Sequence, residues 1–402
     1  MSEEHGDEAA PEDIDLGAAP EHGEFDKVKT QFERWHHPRK QFVRIKQWCA
    51  ATKSLIKELN LAPGTPFSYL TLPGNELLDV RALSGVCNGA SIPLKYLGFN
   101  SVGKGTPGQA ELNISQSEVR ELGGIDPFSI VLEERLEAVA NDLSPAYRRT
   151  LEYGPFHAIN IDLCDSITHR DADDRRGSTL GVLGKLLELQ LQTTSPWLLF
   201  ITTMAQPNLV SDRTRDGFMG AINANTAASE EFKAELAKLI SGSVDELDAR
   251  LDAAWQRQDP DFLRLFCTGL GKWLLSLLGK AAPPRNFTLL SSYYYRVGPD
   301  GPDMLSLAFR CDTPPQVLND QFGIIAAGPA AAQDPFSEVQ LAIRMAQGLG
   351  ASADLDQMLK DDGTLAEKLI VGASKLLSSA RFSAQAYEAW AREELERFKA
   401  TG

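Results

Sequence analysis

The chain has 402 residues, 43% hydrophobic and 24% charged, a balance that belongs to globular proteins and excludes disordered or fibrous classes. No apolar run approaches the roughly 18 residues a membrane-spanning helix needs, and the acidic, polar start argues against a secretory leader, so a cytoplasmic protein without membrane contact is expected. The net charge of −15 is unevenly spread: ten acids and no Lys or Arg lie within residues 1–26.

Such a tail cannot bury enough apolar surface to offset its ordering entropy, and residues 1–26 read as disordered. The charge then reverses. Between Lys27 and Lys57 there are nine basic residues against one acid, Glu33, interleaved with Phe32, Trp35, Phe42, Ile45, Trp48, Leu55 and Ile56. The spacing predicts a helical segment over 27–62, interrupted near Pro38, with an apolar face inward and a basic face outward. Arg39, Lys40, Arg44 and Lys46 make that face a candidate contact for nucleic acid or a protein partner, the alternative being a solvated amphipathic helix shielded by the acidic tail. The adjacent His36 and His37 are weak metal evidence.

Short apolar runs alternating with helical stretches follow. Strands are predicted at 67–72, 94–100, 128–133, 156–162 and 197–203, with helices at 134–143 and 179–192 between the later ones. Helices are then expected at 229–240, 244–256 and 260–278, the last apolar nearly all round and therefore deeply packed. Two further strands, 286–297 and 304–310, are joined by Gly298-Pro299-Asp300-Gly301-Pro302-Asp303, which is hairpin turn chemistry. These elements imply an α/β domain over 63–315, a mostly parallel sheet layered by helices and closed by an antiparallel hairpin. Beyond Pro314-Pro315, residues 316–402 read as a helical appendage after a Gly/Ala/Pro-rich stretch at 323–333.

The stretch Phe156–Asp165 is the centre of the reading, because a buried strand there stops at two acids, Asp162 and Asp165. Open α/β sheets bind ligands at the carboxyl ends of such strands. Either acid suits a base, a metal ligand or a substrate-orienting group, and Asp162 also suits a helix cap or a bond to loop amides. The following polar loop, 168–176, carries His169 as the histidine placed for acid–base work, whereas His157 falls inside the strand. Cys164 has no adjacent base to lower its pKa. Thr202 and Thr203 end a strand at the same crevice but need no role beyond strand packing, and of Tyr293-Tyr294-Tyr295 one or two are expected to pack, the other being free to reach solvent or substrate. The five cysteines (Cys49, Cys87, Cys164, Cys267, Cys311) form no CxxC pair, and P-loop, HExxH, GxSxG and EF-hand patterns are absent.

This order of elements, over roughly residues 27–312, resembles the S-adenosylmethionine-dependent methyltransferases with a seven-stranded Rossmann-like sheet. The resemblance implies a three-layer α/β fold, with S-adenosylmethionine held by the loop after the first strand at Leu72 and Gly74. It also implies a ribose contact at the end of the second strand, at Asn100, and a catalytic or substrate-contacting motif opening at Asp162. The sequence departs from that pattern at three places. Pro73 removes an N–H donor beside the single Gly74, Asn100 stands where the family carries an acid, and Leu163-Cys164-Asp165 replaces the Pro-Pro-aromatic motif of amino-methylating enzymes. Two functions are therefore expected: a divergent methyltransferase acting on nucleic acid or protein, with Asp162, Asp165 and His169 as its catalytic candidates, or a catalytically silent methyltransferase-fold scaffold in a bacterial-type nucleic-acid-associated or defence assembly.

Overall fold

A computed structural model describes residues 28–168, 178–240, 242–298, 301–314 and 337–400. The acidic tail, His169 with most of its polar loop, and the stretch 323–333 lie outside the described residues.

After a single helical turn at Arg34–His36, Pro38 sets the first turn of α1 (Pro38–Phe42), where proline's missing N–H costs nothing. The helix continues without a break through a π-helical segment, Val43–Cys49, into α2 (Ala50–Leu59). Four βα steps follow: β1 (Phe67–Thr71) and α3 (Leu78–Gly89), β2 (Leu94–Phe99) and α4 (Pro107–Glu121), β3 (Ile130–Leu132) and α5 (Pro145–Tyr153), β4 (Ala158–Asp162) and α6 (Thr179–Gln190). β5 (Trp197–Met204) leads into four helices, α7 (Asp212–Ala228), α8 (Glu230–Leu239), α9 (Leu247–Ala254) and α10 (Pro260–Leu278). The hairpin strands are β6 (Asn286–Tyr295) and β7 (Met304–Asp312), and the chain ends in α11 (Glu338–Gly350), β8 (Ala353–Asp354), α12 (Leu355–Asp361), α13 (Gly363–Ser378) and α14 (Ala384–Ala400).

The strands form one sheet in the order β3-β2-β1-β4-β5-β7-β6-β8. The five leading strands run parallel, β7 is antiparallel to both β5 and β6, and β8 joins the edge parallel to β6. Successive strand residues serve opposite layers, as the pleat requires. Leu199 and Ile201 pack with α6, α10 and α11 on one face, while Leu198 and Phe200 pack with α2, α3 and α13 on the other. Burial on both faces explains why β5 reads as a continuous apolar run. The three-layer α/β class inferred from the sequence is the class observed.

Two expectations are corrected. The helix expected at 134–143 is a short 3₁₀ turn, Leu136–Ala140, followed by α5, which Pro145 starts behind the Ser144 cap. The C-terminal residues, expected as an appendage, are built into the fold. α11 packs on α10 and β6, β8 extends the sheet, and α13 and α14 cover the N-terminal helix. There Lys29 and Phe382 pair backbones, the Tyr387 hydroxyl donates to the His36 carbonyl at 2.7 Å, and Phe32 packs on Phe382, Tyr387 and Trp390.

Candidate functional site

β1 lies between β2 and β4, so the sheet order reverses there, and such a switch point opens a crevice beyond the strand ends. A cavity of about 470 Å³ occupies that position. Its floor is the β1 loop Leu72–Glu76, with Phe99, Asn100 and Ser101 from β2 on one side and Asp162, Leu163 and Cys164 from β4 on the other. Glu134–Glu137 and the start of α3 add walls, and Trp35 and Arg44 close it from the N-terminal segment. The size is in the range of small-molecule sites. Three residues separated in sequence, Gly74, Asn100 and Asp162, thus share one opening.

The β1 loop is shaped by close packing. Gly98 lets Pro73 lie against β2, since a Cβ at that position would stand 3.0 Å from both the Pro73 ring and Val131. Leu77, buried, takes a left-handed conformation (φ 51°) to start α3, a costly state for a branched side chain that persists where packing over-determines it. Asn100 is committed to this loop. Its amide donates to the Pro73 carbonyl at 2.9 Å and to Asn75 Oδ1 at 3.1 Å, and its oxygen accepts from the Val102 N–H at 2.9 Å. A ribose hydroxyl at Asn100 would have to replace one of these bonds.

Asp79, which sequence reasoning missed, is a buried acid in the cavity wall. The Tyr69 hydroxyl donates to it at 3.0 Å and the Thr71 hydroxyl also donates, while Asn160 donates to Tyr69 at 2.9 Å. Burial pushes the Asp79 carboxyl above its ordinary range, and the two hydroxyls partly offset that. Its signal was an acid inside an otherwise apolar helix start, Leu77-Leu78-Asp79-Val80.

Asp162 closes β4 and faces Lys40, whose ammonium donates to Oδ1 and also lies 4.9 Å from the Trp48 ring. Burial pulls the Lys40 pKa down, and Asp162 pushes it back up. Arg44 follows one turn later, in the π-helical segment, a distortion that often accompanies functional positions. Its guanidinium is buried in the cavity wall and donates to the Trp35 carbonyl at 3.1 Å. Burial lowers its pKa, and Asp162 and Asp79 counter this from further away.

The expected outward basic face is therefore corrected for three of its four residues. Lys40 and Arg44 turn inward, and Arg39 pairs with Asp356 at 2.8 Å while donating to the Arg296 carbonyl. The apolar and aromatic partners that bury this helix on both sides carry its bases with them. Lys46 is half-buried, and Lys53 and Lys57 are exposed. Asp165 is exposed, bonds the Ser166 N–H at 2.7 Å and is not among the cavity-lining residues, so the two acids of the β4 end are not brought together. Cys164 lines the cavity as an exposed residue, and the partial desolvation of its thiol together with the neighbouring Asp162 carboxylate pushes its pKa up, which disfavours a thiolate nucleophile. Thr202 and Thr203 are buried strand residues bonded to Ser306 and to the loop after β4. Of the three tyrosines, Tyr295 is buried and Tyr293 and Tyr294 are half-buried. Among the described residues, no group of three or more His, Cys, Asp or Glu is arranged to hold a metal ion, and no helix is long and apolar enough to cross a membrane.

No curated protein and no solved structure matches the chain. A family model described as PP_RS20740-like matches residues 29–392, from the Lys29 backbone bridge to α14 and therefore across every wall of the cavity. The chain belongs to the PP_RS20740-like family.

Proposed function

We propose that this protein is a divergent S-adenosylmethionine-dependent methyltransferase whose cofactor site is the cavity above β1, β2 and β4. The observation that carries the reading is the open cavity over Gly74, Asn100 and Asp162, where side chains filling the space would have counted against any ligand. The mostly parallel sheet closed by an antiparallel hairpin supports it, because that order of elements carries the resemblance to these methyltransferases. The residues present suit the cofactor in several respects. Leu72 and Phe99 offer apolar contact, Gly74 leaves the backbone open at the β1 turn, and Glu76 and Asp79 are acids that a cationic ligand would meet in the cavity wall. The cofactor, when bound, supplies an electrophilic methyl group to a substrate nucleophile, and Asp162 stands at the edge where such a nucleophile would be oriented. A calorimetric titration with S-adenosylhomocysteine tests the assignment.

A second reading is a catalytically silent scaffold of the same fold. The observation favouring it is the Lys40–Asp162 pair, which already occupies the carboxylate oxygen nearest the N-terminal helix. A nucleic-acid or protein partner for the basic segment rests on its exposed remainder, Lys53 and Lys57 with half-buried Lys46.

A further inference from the structure

The buried bases near the cavity have acidic partners: Lys40 has Asp162, Arg81 has Glu118, and Arg381 has Glu111 and Glu118. Arg44 does not follow this pattern. Among the described residues no carboxylate lies within ion-pair distance of it, its one hydrogen bond is to a backbone carbonyl, and its buried Nε–H has no acceptor. A guanidinium keeps its proton at any working pH, and burying it unpaired is expensive. Such a group persists in a cavity wall where a ligand's anion completes it.

The remaining lining charges narrow that ligand. Five acids and two bases line the cavity, so a polyphosphate would meet net repulsion. One anionic group beside a positive centre suits the same wall, because Glu76 of the β1 loop and Asp79 of α3 line the cavity with Arg44 and both interact with its charge. We propose that Arg44 is the receptor for the carboxylate of a small zwitterionic ligand, an amino-acid moiety whose positive centre is faced by the acids of the β1 loop and α3. The assignment rests on the cavity being a ligand site, and its test separates the two claims.

The experiment has two arms, both with the full chain. In the first, S-adenosylhomocysteine and 5′-methylthioadenosine, which lacks the amino-acid part, are titrated calorimetrically into wild type, Arg44→Met and Arg44→Lys. Wild type should prefer the first by at least about tenfold, in line with a charge-assisted pair. Arg44→Met should abolish that preference without weakening the second ligand, and Arg44→Lys should keep part of it. A preference undiminished in Arg44→Met overturns the proposal. If neither nucleoside binds wild type, the cofactor reading fails, and the second arm decides Arg44 by itself. There, thermal unfolding without ligand should show Arg44→Met unchanged or raised in Tm, since an unmatched buried charge has been removed. A fall of more than about 3 °C, or a variant that does not fold, makes Arg44 a structural counter-charge to Asp162 and Asp79 and overturns the proposal.

Discussion

Lys40 and Asp162, 122 residues apart, form an ion pair that fastens the N-terminal helix to the carboxyl end of β4. Their side chains are 8% and 23% exposed. Removing one partner of a buried pair leaves the other uncompensated, at about 3–5 kcal/mol when fully buried. Because Asp162 retains some water, Lys40→Met should cost about 2–4 kcal/mol in urea unfolding. The double variant Lys40→Met/Asp162→Leu should recover most of that loss. A single variant within about 0.5 kcal/mol of wild type would show the pair to be energetically silent.

The two environments within the basic segment should respond differently to substitution. Lys46→Glu, at a half-buried position, should leave stability within about 0.5 kcal/mol. Arg39→Ala strands Asp356 in a largely buried setting and should cost about 2–3 kcal/mol. If the segment meets a polyanion, Lys46→Glu/Lys53→Glu/Lys57→Glu should weaken nucleic-acid retention and flatten its salt dependence at unchanged Tm. Retention unaltered by the triple variant would place these lysines on a plain solvated face.

Acid should destabilise this protein early, through three histidines. His36, His37 and His157 each accept a backbone N–H at Nδ1, from Glu33 (3.0 Å), Arg39 (3.2 Å) and Ser68 (2.9 Å), so each is held neutral. Burial lowers all three pKa values, His36 to about 3. The folded values lie below the unfolded value, so the unfolded chain binds more protons as pH falls. The stabilisation is present above about pH 6.5 and is lost below it. As pH falls below 6.5 the slope should rise towards two protons from His36 and His37, about 2.7 kcal/mol per pH unit, with His157 adding in the same direction, and His36→Gln should remove about one proton from it. A flat stability profile across that interval would contradict the neutral, acceptor role.

Much of the sheet was legible because its strands are buried on both faces and bounded by Gly and Pro. β1, β2, β4, β5, β6 and β7 fall where the apolar runs place them, within two residues at most ends. α7 escaped notice because Asp212–Ala228 mixes Gly, Ala, Asn and Thr with few apolar residues, and only Phe218 and Ile222 mark its buried face. β8 is two residues long and exists through pairing with Tyr293 and Tyr294, a long-range cause with no local signal. The crevice could be located from Gly74, Asn100 and Asp162, since strand ends are a property of local pattern. Its charge could not. Lys40 and Arg44 read as surface residues because charge usually implies solvent, and only the tertiary fold shows α13 and α14 covering that helix.

The loop over the cavity should be sensitive to a single methyl group. Gly98→Ala places a Cβ 3.0 Å from the Pro73 ring and from Val131, inside normal packing distance. Overpacking of this kind costs about 1–3 kcal/mol, and relief by displacement of Pro73 would carry Gly74 and Asn75 with it. The variant should bind any cavity ligand several-fold more weakly while remaining folded. Wild-type affinity with wild-type Tm would mean that the loop yields freely and does not set the cavity's shape.

On the proposed function, the cavity above β1, β2 and β4 takes S-adenosylmethionine. Isothermal titration of the full chain with S-adenosylmethionine and S-adenosylhomocysteine addresses it directly. Saturable, one-site binding in the micromolar range, weakened by Gly98→Ala and by Asp79→Ala, is the predicted result. No heat of binding with ligand at millimolar concentration would contradict the claim and leave the fold serving as a scaffold.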